Sequence, residues 1–146
     1  MNRVDTNLWL GSLHAANNTI GLKKAGITHV LTIISGFKPM NMDQFVNKKI
    51  EALDHPEASL VPFMDEAADF IKEGVASGGI LVHCFAGISR STTMVIAYLM
   101  KEFGKSVHEA LYHIRKNRPF ANPNHGFMNQ LYMYERELKK RAEKPP

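Results

Sequence analysis

The segment ILVHCFAGISRSTTMVIAYLM, residues 80–100, most constrains what this chain can fold into. Ile80 to Cys84 is apolar enough for a strand buried on both faces, and Arg90 to Phe103 carries helical spacing at Met94, Ala97, Tyr98 and Lys101. Only the short stretch FAGIS separates them. A strand that is apolar on both faces belongs inside a sheet covered by helices, so this unit alone argues for an α/β protein.

The flanking sequence agrees. Asn7 to Leu10 and Ile27 to Ile34 read as strands, with a short helical piece over Thr19 to Ala25 between them. SGFKPMNMD is turn-like, and Lys48 to Leu53 reads as a further short strand that delivers the polar loop DHPEAS. From Ser59, Leu60, Phe63, Met64, Ala67, Phe70, Ile71 and Val75 recur at spacings of three and four, which predicts an amphipathic helix ending at SGG. Gly104 stops the next helix, and Ser106 with Glu109 forms a capping box for another to about Lys116. Asn122 and Pro123 offer an N-cap and first-turn proline for a last helix that turns Phe127, Leu131, Tyr134 and Leu138 inward. The expected architecture is a central sheet of four or five strands flanked by helices. No repeat or linker divides it, so residues 1–146 read as a single domain, with only the AEKPP tail expected to fray.

The chemistry is concentrated in HCFAGISRS, residues 83–91, where the only cysteine closes the buried strand and an arginine follows after five residues. Successive backbone N–H groups in a tight loop form an anion-binding concavity, and the following helix N-terminus reinforces it. The cradle would run through Phe85, Ala86, Gly87, Ile88, Ser89 and Arg90, with Gly87 free to adopt positive φ and Ala86 keeping bulk away. The same field favours a thiolate, since cysteines at helix N-termini or beside cations fall from about 8.5 to roughly 3.5–7.5. Cys84 is then a nucleophile, and Arg90 offers a planar fork to two phosphate oxygens. Ser91 is placed to hydrogen-bond the sulfur and ease its departure. His83 alternates to the other side of the strand from Cys84, which suits orienting the loop rather than moving a proton, with a satisfied core histidine as the alternative. The alternative for Cys84 is an inert buried thiol, and the spacing of His83, Arg90 and Ser91 around it argues against that.

Histidine, cysteine, five residues, arginine and serine form the signature of the protein tyrosine phosphatase superfamily, and HCFAGISRS closely resembles its dual-specificity branch. The likeness covers nearly the whole chain, with NLWLGS, DHPEAS, AGISRSTTMVIAYLM and RPFANPNHGFMNQL in the same order. It implies a mixed sheet with helices on both sides, and hydrolysis of phosphotyrosine and phosphoserine or phosphothreonine in phosphorylated protein substrates through a phosphocysteine. Members of that family use an aspartate on a separate loop as general acid, and the matching residue is Asp54, with Glu57 and Asp65 as local competitors. The chain resembles the small, single-domain members, without room for a separate amino-terminal kinase-docking domain.

Composition narrows the rest. One cysteine excludes an internal disulfide and fits a reducing compartment, so the protein reads as cytosolic or nuclear. No export signal, myristoylation or prenylation motif is apparent, and no run of about 18 apolar residues suggests membrane insertion. The net charge of +4 suits acidic partners. Arg136, Lys139, Lys140, Arg141 and Lys144 read as a solvated helix face rather than a nucleic-acid site. No histidine and carboxylate cluster has metal-ligand spacing, and neither metal nor cofactor is expected. Two rivals remain: a phosphoinositide or RNA phosphatase, disfavoured because Phe85, Ala86, Ile88 and Ser89 add no cation, and a catalytically dead phosphoprotein binder, disfavoured by the complete residue set.

Overall fold

The computed structural model describes residues 1–144; Pro145 and Pro146 of the expected frayed tail lie outside the described residues. The strands are β1 (Asn2–Asp5), β2 (Leu8–Gly11), β3 (His29–Ile33), β4 (Val46–Ile50) and β5 (Ile80–His83). The helices are α1 (Leu13–Ala16), α2 (Thr19–Lys24), α3 (Val61–Ser77), α4 (Arg90–Phe103), α5 (Val107–Arg115) and α6 (His125–Glu143). One five-stranded sheet has the order β1-β2-β5-β3-β4, with β1 antiparallel to β2 and the other pairs parallel. The expected mixed sheet is present, and the apolar β5 occupies its centre.

Side-chain alternation along the strands divides the interior. Leu31, Ile33, Ile80 and Val82 face a large core built with α3, α4, α5 and α6, while Val30 and Leu81 join a smaller cluster with Leu22 of α2 on the opposite face. The first turns of α4 are buried on every side from Arg90 to Met100, so this helix runs through the middle of the larger layer. Gly104 ends it in the left-handed region, and the Ser106–Glu109 capping box starts α5 as expected.

Four expectations need correction. β1 was unforeseen because NRVD buries only Val4, which suffices for an edge strand paired on one side. The strand expected over Lys48 to Leu53 lies instead at Val46–Ile50, where the register of β3 places it and only Ile50 is buried. That shift leaves residues 51–59 to the loop carrying Asp54. The cap of α6 is Asn124, whose side chain accepts from the Phe127 N–H, rather than Asn122. The tail expected to fray is helical through Glu143.

α6 is fastened to α3 by Asp65, which accepts from Tyr134 Oη at 2.6 Å and from both terminal nitrogens of Arg141 at 2.9 and 2.8 Å. The Arg141 bonds hold this carboxyl well below the usual carboxylate range. A depressed folded-state value stabilises the fold above the unfolded value and loses that contribution as pH falls. The melting temperature should therefore fall as pH drops below about 4, and Asp65→Asn should flatten that limb; an unchanged acid limb in the variant would refute the assignment.

Candidate active site

The loop between β5 and α4 is held from outside by its own carbonyls. Cys84 O meets His83 Nδ1 at 3.1 Å, and Phe85 O accepts from the Leu13 N–H at 3.0 Å. Ala86 O and Gly87 O accept from the Arg118 guanidinium at 3.4 and 2.9 Å. Ile88 O accepts from the Asn122 N–H at 2.8 Å, and Ser89 O from the Thr93 N–H and hydroxyl at 3.0 and 2.8 Å. In a trans peptide the C=O of one residue points opposite to the N–H of the next. The N–H groups of Phe85, Ala86, Gly87, Ile88, Ser89 and Arg90 are thus turned to the other side, and among the described residues no acceptor takes them. Such a concavity of free donors at a helix N-terminus binds anions.

Cys84 lies at one end of this cradle, only 2% exposed, with its sulfur 3.1 Å from Ser91 Oγ. Arg90 is 9% exposed; its Nη1 donates to Ala52 O at 2.9 Å, while its Nε is buried without a partner. A buried guanidinium N–H left unsatisfied is costly, and an oxyanion in the cradle would remove that cost. Gly87 has φ 72°, and a Cβ there would stand 2.5 Å from Arg118 Nη2 and 2.6 Å from the Gly11 carbonyl, so conformation and space both demand glycine.

His83 sits beneath the loop. Burial lowers its ring to about 4, so it is neutral near pH 7. A carbonyl can only accept, so Nδ1 carries the proton toward Cys84 O, and Nε2 accepts from the Thr32 hydroxyl at 2.7 Å. The ring ties the backbone of Cys84, the residue after the central strand, to Thr32 of β3.

Asp54 is exposed and reaches the site through two links: Ala52 O on Arg90, and Asn124. Asn124 Nδ2 donates to Asp54 Oδ1 at 3.0 Å, and the Asn124 N–H donates to Ser89 Oγ at 2.9 Å, tying the carboxylate to the cradle. A Cβ on Gly126 would overlap the Pro56 carbonyl, so this glycine lets the 54–58 loop close onto α6. Of the competitors, Asp65 is bound in α3 to Tyr134 and Arg141, and Glu57 is exposed on the same loop as Asp54.

Arg118, 6% exposed with its guanidinium 4.5 Å from the Phe120 ring centroid, is a site residue that no motif spacing singles out, and the same holds for the contacts of Thr32, Asn122 and Asn124. Their only signal was membership of RPFANPNHGFMNQL and the strand ITHVLTII. A cavity of about 720 Å³ at the junction of α4, α5 and α6 is lined by Lys101, Lys105, Glu135 and Lys139 among others and by no residue of the cradle.

Residues 8–137 match the family model described as dual specificity phosphatase, catalytic domain. The chain belongs to the dual-specificity phosphatase family. It is 43% identical over 136 residues to dual specificity protein phosphatase 1 of Arabidopsis thaliana, covering 92% of this chain and 69% of that one. It is 42% identical to dual specificity protein phosphatase 1B of the same plant, covering 97% and 86%. Among solved structures, human DUSP28 superposes with a TM-score of 0.92 at 30% identity, covering 97% of this chain and 99% of the other. A human tyrosine phosphatase-like serine/threonine/tyrosine-interacting protein gives 0.89 at 33%, covering 94% and 96%. As a member of this family the chain is a protein phosphatase acting on phosphoproteins.

Proposed function

We propose that residues 1–146 form one catalytic domain that hydrolyses phosphotyrosine, phosphoserine and phosphothreonine monoesters of proteins through a phosphocysteine at Cys84. The observation that carries this reading is the set of free backbone N–H groups, with the orphaned Arg90 Nε, arranged around the cysteine. These donors and the Arg90 fork hold the non-bridging phosphate oxygens. The Cys84 thiolate attacks phosphorus, the bond to the substrate oxygen breaks, and Asp54 gives that oxygen its proton. Water then attacks the phosphocysteine, Asp54 takes its proton, and the sulfur leaves with Ser91 donating to it. Inorganic phosphate and the original thiolate are the products. The single cysteine suits a reducing compartment, cytosolic or nuclear.

The acid role has its own test. Asp54→Asn should slow hydrolysis of alkyl and plain phenyl phosphates by about a hundredfold or more while sparing activated aryl phosphates, whose phenoxide needs little protonation. The alkaline limb of kcat against pH should flatten as well. An equal loss for every leaving group, or a larger leaving-group-dependent loss in Glu57→Gln, would move the acid role away from Asp54.

A further inference from the structure

The loop after β3 carries an exposed phenylalanine onto the first cradle residue. Phe37 and Phe85 are 54% and 55% exposed, and their rings meet with centroids 5.8 Å apart at 56°. Phe85 follows Cys84 directly, and its backbone is fixed by the Leu13 N–H on its carbonyl. Two further apolar side chains are exposed on the rim, Ile88 within the cradle and Leu53 beside Asp54, among the polar Lys38, Asp54 and His55. Both nearby guanidinium groups are engaged below the surface, Arg90 with Ala52 and Arg118 with the loop carbonyls. Two phenyl rings left half in water beside a reaction centre mark an interaction surface.

Resting on the phosphate site proposed above, we infer that Phe37 and Phe85 form an apolar shelf that receives an apolar or aromatic residue flanking the phosphorylated residue of a protein substrate. The shelf is continuous with the cradle, because Phe85 belongs to both. A phosphorylated side chain entering toward Cys84 draws its own backbone across the rim, and neighbours one or two positions away lie about 3.5 to 7 Å along an extended chain. An aliphatic or aromatic neighbour there exchanges water for two ring surfaces. A carboxylate in the same place is desolvated against the rings, and the exposed Lys38 ammonium beside Phe37, which stays in water, offsets little of that cost. The shelf thus selects among phosphoproteins without touching the reacting atoms.

Paired phosphotyrosine peptides differing only in Leu or Glu beside the phosphorylated residue, with 4-nitrophenyl phosphate as a substrate without neighbours, test this. Wild type should prefer the Leu peptide by about tenfold in kcat/KM, and Phe37→Ala should lower that rate about fivefold. The Glu peptide and 4-nitrophenyl phosphate should stay within about twofold, because Phe37 lies outside the cradle and is exposed. Phe37→Lys should reverse the preference. Normal aryl phosphate turnover with a peptide ratio unchanged by Phe37→Ala overturns the shelf alone, whereas absence of aryl phosphate turnover in wild type overturns the phosphate site beneath it. Binding to anionic vesicles that Phe37→Ala abolishes, with the peptide ratio unmoved, overturns the shelf in favour of a lipid-facing surface.

Discussion

Cys84→Ser is expected to abolish phosphate release from aryl phosphates and phosphopeptides, by at least about ten-thousandfold, while leaving phosphopeptide binding in place. The two halves of this result have separate structural causes. Turnover needs an ionised nucleophile, and a serine hydroxyl has no adjacent base: His83 faces the other side of the strand and spends its proton on the Cys84 carbonyl. Binding needs the cradle, whose shape is set by Leu13, Arg118, Asn122 and Thr93 acting on loop carbonyls, none of which involves the sulfur. The substitution also removes little bulk from a site already lined by the Ser91 hydroxyl, so the fold should survive. Phosphate release measured beside anisotropy of a labelled phosphopeptide separates the effects. Substantial turnover by the serine variant would refute Cys84 as nucleophile, and loss of binding together with turnover would mean that the sulfur helps to shape the cradle.

The residues that carry chemistry differ in how plainly the sequence announces them. Cys84, Arg90 and Ser91 are close in the chain, and the strand, glycine and helix that position them are equally local, so short-range spacing reveals them. Asp54 is one of several carboxylates in a polar loop, legible only through resemblance, because its link to the site runs through Asn124, far along the chain. Arg118 is less visible still. Its value lies in a guanidinium turned onto Ala86 and Gly87 from a segment after α5, and no periodicity records such a contact. The fold shows the same division. β5 is apolar up to His83 and α4 is apolar from Met94 to Met100 because both are buried there, whereas β1 and β4 are edge strands whose exposed faces carry polar residues and mask the strand pattern. The Phe37–Phe85 contact joins two loops and has no local signature.

Arg90→Lys is expected to lower kcat/KM by about a thousandfold although the positive charge is kept. In wild type one terminal nitrogen of Arg90 is committed to Ala52 O at 2.9 Å, and this bond orients the guanidinium plane while Nε stays free for an oxyanion. Lysine carries a single ammonium at the end of its chain. It can satisfy Ala52 or the phosphate, but it cannot reproduce both contacts in one plane. The loss should grow as charge redistributes over the phosphoryl oxygens, so kcat should fall more than the affinity for phosphopeptide, and inorganic phosphate should inhibit only modestly less well. Ala52 also begins the segment that bears Asp54, so the variant should partly lose the leaving-group dependence attributed to that acid. Rates near wild type would make Arg90 a structural residue. A loss of affinity as large as the loss of kcat/KM would instead assign it to ground-state binding, leaving transition-state stabilisation to the backbone N–H groups of the loop.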